Sequence, residues 1–156
     1  MPTQNESIGK WFSTIHRYSM IYKTRSFLPL GIGAGQLEVL AILYDRDGIS
    51  QDELALRLNK DKTTTGRAIQ KLEELSFIKR EPSEKDRRVN LVSLTAKAWD
   101  IHPHILSTMA TWTDILMKDF SDEEKAQLLE MVKRVSRNAV NHISKMGENM
   151  ENEGAE

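Results

Sequence analysis

The chain has 156 residues, 39% of them apolar, no cysteine, and a formal net charge of −1. This is enough apolar material for one cored domain, and it excludes disulfides, thiolate metal ligands and thiol-based redox sensing. No stretch approaches the roughly 18 unbroken apolar residues of a membrane span and the N-terminus lacks the apolar core of a signal peptide, so a cytoplasmic protein is expected.

From the N-terminus, Ile8, Trp11, Phe12, Ile15, Tyr18 and Tyr22 recur at helical spacing and predict an amphipathic helix over 7 to about 26. LPLGIGAG breaks it. A second helix fits 35–46, with Leu37, Leu40, Ala41 and Tyr44 on one face, and stops at the turn signal DRDG. In ISQDELALRL, Ser50 can cap a short helix and Glu53 can reach back to it, while Ile49 and Leu54 stand at the positions of a hydrophobic staple. NKDK then turns the chain, and Asp61 offers a cap for KTTTGRAIQKLEEL, whose stripe is Ala68, Ile69, Leu72 and Leu75. FIKRE and VNLVSL read as the strands of a hairpin around a charged loop containing Pro82. Thr95 can cap a long helix presenting Ile101, Ile105, Met109, Trp112, Leu116 and Phe120. SDEE at 121–124 opens another, striped by Leu128, Leu129, Val132, Val135, Ala139 and Ile143. GENMENEGAE has no periodicity and predicts a disordered acidic tail over 148–156.

The near-zero charge argues against a polyanion partner until it is resolved along the chain. Residues 57–88 hold ten Lys/Arg against six acids, so this segment is +4 and the remainder −5. The order of elements there, a short capped helix, a second helix with a polar first turn and a hairpin, is that of a winged helix-turn-helix, in a mainly α (α+β) fold. A helix starting with short hydroxyls and one long arginine can enter the major groove, about 12 Å wide. Thr63, Thr64 and Thr65 can offer hydroxyls and methyls there, Arg67 and Lys71 can reach bases or phosphates, and Lys60 and Lys62 flank the positive end of the helix. Ser50 and Gln51, at the start of the preceding helix, complete that side. At the hairpin tip, Lys85, Arg87 and Arg88 suit the neighbouring minor groove, with Asp86 supporting one of the arginines through a charge-assisted hydrogen bond.

The run QDELALRLNKDKTTTGRAIQKLEELSFIKREPSEKDRRVNLVSLT resembles the DNA-binding core of the multiple-antibiotic-resistance regulator (MarR) family. The family's pattern passes from an "ELA..L" helix through a Thr/Ser-rich recognition helix to "LE..G.I.R", an Asp-x-Arg wing and "LT..G". The wing pair falls on Asp86 and Arg88. Three positions depart: Ser76 and Ala98 replace glycines, and Gly66 stands for a Thr-like residue of the recognition helix. The resemblance implies a homodimer built from an N-terminal helix (7–30) and two C-terminal helices (96–147) around the winged domain (33–95). It also implies a double-stranded, pseudo-palindromic operator, a repressor role, and release by a small aromatic or phenolic anion such as a salicylate-like acid. His16, Arg17 and Tyr18 are the candidate effector residues.

Other readings stay open at this point. Winged helices also serve as protein-docking modules without touching DNA, and His102-Pro103-His104 invites a metal-responsive regulator. Residues two apart, however, lie on opposite sides of a helix, and the chain has no Cys to complete a site. No metal or cofactor is expected. Nor is an enzyme, since the chain has no Gly-rich phosphate loop and no Ser/His/Asp ordering.

Overall fold

The computed structural model describes residues 7–153, in two units that divide after Trp112. The first unit contains α1 (Ile8–Phe27), α2 (Ala34–Asp45), β1 (Ile49–Ser50), α3 (Gln51–Leu58), α4 (Lys62–Glu74), β2 (Ile78–Pro82), β3 (Asn90–Leu94) and all but the last turn of α5 (Ala96–Leu116). The second is built on α6 (Asp122–Glu153). The winged helix-turn-helix is present as expected, with one more strand than the sequence suggests.

That strand, β1, is two residues long and carries no readable alternation. It pairs antiparallel with β3 through Ile49↔Val92 and Ser50↔Leu91, giving a sheet in the order β1-β3-β2. The hairpin register runs from Ile78↔Leu94 to Pro82↔Asn90. Asp47 secures the sheet at its other end, its Oδ1 accepting from the amides of Gly48 (2.9 Å) and Leu94 (2.8 Å). Only the sheet's inner side is apolar: Ile49, Ile78, Val92 and Leu94 are buried, together with Leu40 and Leu43 of α2, Leu54 of α3, Ile69 and Leu72 of α4, and Phe77. Each large side chain so buried contributes about 1.5–3 kcal/mol, which fixes α4 and the hairpin against one core. The face expected for α2 is partly corrected: Ala41 is exposed, and Val39 and Leu43 take the buried arc because α2 packs on several sides at once.

Local signals set the helix ends. Ser50 Oγ accepts from the Glu53 amide at 3.1 Å, although the Glu53 carboxylate does not reach back and turns instead to Arg46 and Arg57. The capping box of α6 is complete: Ser121 Oγ accepts from the Glu124 amide and Glu124 Oε2 accepts from the Ser121 amide at 2.8 Å. α5 is continuous through Pro103, an interior position that removes one ladder hydrogen bond. α6 continues to Glu153, so residues 148–153 of the expected tail are helical; residues 154–156 lie outside the described residues. No single described helix is long and apolar enough to cross a membrane.

Candidate nucleic-acid interface

The turn between α3 and α4 is made by three residues with separate tasks. Asn59 adopts φ 51°, a left-handed conformation asparagine tolerates, and ends α3. Lys60 follows, and Asp61 caps α4, its Oδ1 accepting from the Thr64 amide at 2.8 Å and its Oδ2 from the Thr64 hydroxyl at 2.7 Å. These hydrogen bonds hold the Asp61 carboxyl below its ordinary pKa, the Thr64 side chain first among the causes.

Successive residues of a helix are about 100° apart, and the three threonines consequently face three ways. Thr63 and Thr64 are exposed, but Thr65 is only 1% exposed, in line with Ile69 and Leu72. Thr65 therefore cannot touch a duplex, which corrects its assignment as a contact residue. Its Oγ1 is buried and has no hydrogen-bond partner. The Thr64 hydroxyl proton is committed to Asp61, leaving a methyl and an acceptor for other use. Arg67 and Lys71 project from the exposed side, where Arg67 makes no ion pair among the described residues and Lys71 lies 3.9 Å from Glu74. Gly66 lies at the flank turned to α3, and a Cβ built there would meet Gln51 Nε2 at 3.1 Å. Glycine within a helix costs about 0.5–1 kcal/mol relative to alanine.

The flanking lysines are not free. Lys60 is paired with Glu38 of α2, and Lys62 Nζ lies 3.0 Å from Asp52 of α3. Neither carboxylate is distinguished in the sequence, because both partnerships depend on how the helices pack.

The hairpin tip spans residues 83–89 and is closed by Ser83 N–H to Val89 O (2.8 Å) and Val89 N–H to Asp86 O (2.9 Å). Asp86 lies at 3.1 and 3.2 Å from Nε and a terminal nitrogen of Arg88 and also accepts from the Arg88 amide at 3.0 Å. The same contacts lower the Asp86 pKa, the Arg88 side chain being the largest cause. The supporting bond expected of Asp86 is thus formed, while the Arg88 side chain stays 91% exposed. Lys85 and Arg87 are exposed and make no ion pair among the described residues. Arg80 of β2 binds Glu73 of α4, tying the wing to the end of α4. That pairing lowers the Glu73 pKa and raises that of Arg80, a consistent pair of shifts.

Elsewhere in this unit, His102 stacks on Tyr44 (3.9 Å between centroids) and His104 meets the edge of Phe27 (5.5 Å). The two histidines thus serve different aromatic contacts, and among the described residues no group of three potential ligands could hold a metal. His16, Arg17 and Tyr18 are exposed on α1, with the Arg17 guanidinium 5.5 Å from the Tyr18 ring. A nearby groove is lined by Tyr18, Ile21, Tyr22, Arg25, Ser26 and Trp112. His16 and Arg17 are not part of it. Its cation is Arg25, which sequence spacing alone does not single out, because the groove forms only where α5 brings Trp112 against Tyr22 (4.6 Å, stacked).

Comparisons with known proteins agree with this geometry. The pattern of the MarR family matches residues 32–89. A MarR transcriptional regulator from Methanosarcina mazei Go1 has a similar structure, with a TM-score of 0.82 and 37% identity over 86% of this chain and 96% of that one. The uncharacterised HTH-type transcriptional regulator YybA of Bacillus subtilis (strain 168) is 31% identical over 112 residues, 72% of this chain and 75% of that protein. The HTH-type transcriptional regulator BilQ of Clostridium symbiosum (strain WAL-14163) is 28% identical over 88% of this chain and 96% of its own length. With the helix-turn-helix, the wing and its Asp86–Arg88 pair in place, the chain belongs to the MarR family of winged helix-turn-helix transcriptional regulators.

Proposed function

We propose that the protein acts as a homodimeric repressor on a pseudo-palindromic operator. Thr63, Arg67 and Lys71 of α4 enter the major groove, Ser50, Gln51, Lys60 and Lys62 flank them, and Lys85, Arg87 and Arg88 of the wing reach the adjacent minor groove. One observation carries this reading. Lys60, Lys62, Lys71, Lys79 and Arg80 are each ion-paired to a carboxylate, whereas Arg67 on the outer side of α4 and Lys85 and Arg87 at the hairpin tip have no such partner among the described residues. Within the basic segment 57–88, phosphates and guanine edges would supply the anion or acceptor that these three cations lack.

Large apolar side chains support the dimer. On α1, Trp11, Ile15 and Tyr18 are exposed; on α6, Leu129, Val132, Val140 and Ile143 form an exposed stripe. Such faces suit coverage by a second copy. For the effector, the groove beside α1 offers a guanidinium, Arg25, and the stacked Tyr22–Trp112 pair, which suits a small aromatic carboxylate. Arg25 then takes the anion-binding role expected of His16 and Arg17, and Tyr18 keeps its place in the site. Release requires that this ligand bind the DNA-free geometry better than the DNA-bound one.

The test is selection of bound fragments from random-sequence duplexes, followed by titration of the selected duplex in graded salt. Affinity should fall steeply with salt, as phosphate contacts require. Arg67→Ala should weaken the selected duplex by about 1–3 kcal/mol more than a scrambled one. Equal loss on both would remove the base-reading part of the proposal, and a flat salt response would favour a protein-docking module instead.

A further inference from the structure

Gly66 is the least expected residue of α4, since it weakens the helix that faces DNA. Two explanations are open to a glycine there: it lets the backbone approach the duplex, or it makes room for another side chain of the protein. The geometry favours the second. A Cβ at Gly66 would come within 3.1 Å of Gln51 Nε2, closer than ordinary van der Waals contact, so the space above the glycine is already taken by the carboxamide of the first residue of α3.

That carboxamide makes no hydrogen bond among the described residues, although it is partly buried and carries two donors and an acceptor. Its location is also specific. Three and four residues along a helix lie on the same side, so Gly66 shares its flank with Thr63 and Gln70, both exposed, and the buried Thr65–Ile69–Leu72 line runs behind. An amide group that reaches solvent and is not engaged by any protein group among the described residues is thus set at the edge of the surface from which Thr63 and Arg67 project.

We propose that Gln51 is a specificity-determining residue that reads an adenine, its carboxamide matching the N6 donor and N7 acceptor of that base, and that Gly66 is the positioning residue that seats it beside α4. The inference rests on the reading that α4 enters the major groove. Gly66→Ala should improve helix formation while shifting the amide by a few tenths of an ångström from its seat, so stability and sequence reading should change in opposite directions.

The experiment uses the full-length protein and a duplex that the wild type selects from random-sequence DNA, with each A·T pair of the half-site exchanged in turn for G·C. The wild type should lose about tenfold or more at one of these pairs, in the range of a bidentate base contact. Gln51→Ala should be indifferent to that exchange, losing affinity for the selected duplex by a much larger factor than for a scrambled one. Gly66→Ala should lose much of the same preference while melting at or above the wild-type temperature, and Gly66→Ala should add nothing further in a Gln51→Ala background. The proposal is overturned if Gln51→Ala weakens selected and scrambled duplexes alike, which would make it a phosphate contact. It is equally overturned if Gly66→Ala is as damaging with Gln51 absent as with it present, which would return the glycine to direct DNA approach. A wild-type protein that selects no duplex at all would remove the DNA-binding reading itself, an outcome distinct from either.

Discussion

Two single residues carry measurable costs, one of them a departure from the family pattern. Ser76 sits at φ 61° just after α4, where its amide donates to Glu73 O (2.8 Å) and the Phe77 amide to Leu72 O (2.9 Å). That is the ending for which glycine is favoured, and a side chain there carries a penalty. Ser76→Gly should raise unfolding stability by about 0.5–1 kcal/mol, read from the denaturation midpoint at constant slope. Thr65 buries an oxygen with no partner. Thr65→Val fills nearly the same volume without that group, so stability should rise by about 1 kcal/mol. DNA affinity should stay within twofold or so of wild type, because a 1%-exposed residue touches no duplex; a large loss would reinstate Thr65 as a contact.

At the scale of elements, α4 is placed by its neighbours and electrostatically restrained by them. Asp52 of α3 and Glu38 of α2 hold Lys62 and Lys60, so in the proposed complex those lysines would exchange carboxylate for phosphate. Asp52→Asn should therefore tighten DNA binding about three- to tenfold at low salt, with the gain shrinking as salt rises. Glu130→Gln on α6, which makes the same change in net charge by breaking a pair with Lys133, should do much less. Equal gains would show a general charge effect rather than release of Lys62. The elements themselves were largely legible in the chain. Caps at Ser50, Asp61 and Ser121 act within a single turn, so three or four consecutive residues contain all the information. β1 was not legible, because two residues cannot show a period. Nor could the sequence distinguish Thr65 from Thr63, since only the rotation of the helix against its core separates identical side chains. Arg25 illustrates the same limit: what makes it notable is Trp112, 87 positions away.

Over the whole first unit, the core of the winged domain is joined to α5 through Tyr44. Its hydroxyl donates to Ala98 O at 2.5 Å, its ring stacks on His102, and Trp99 meets its edge. Burial pushes the Tyr44 pKa up to about 12, so the folded state holds this proton more tightly than the unfolded chain, whose tyrosine titrates near pH 10. The contribution is complete below about pH 10 and declines as pH rises toward about 12. The stability advantage of wild type over Tyr44→Phe should narrow across that window, a comparison that cancels the lysines and other tyrosines common to both; a constant gap would place the phenol in water. Here too Ala98, one of the glycine replacements, makes sense in the fold, since it is fully buried beside this junction and its carbonyl receives the hydroxyl.

Pro103 stands one turn beyond that junction. Lacking an amide hydrogen, it leaves the carbonyl of Trp99 without its ordinary partner from the next turn. The rod is firmly anchored upstream by Thr95 and Lys97, whose side chains donate to the carbonyls of Ser76, Phe77 and Leu75. A column clamped at its base and missing one rung just above yields there first. Deuterium uptake along α5 should accordingly peak in the turn following His102, where the missing rung leaves the backbone least restrained.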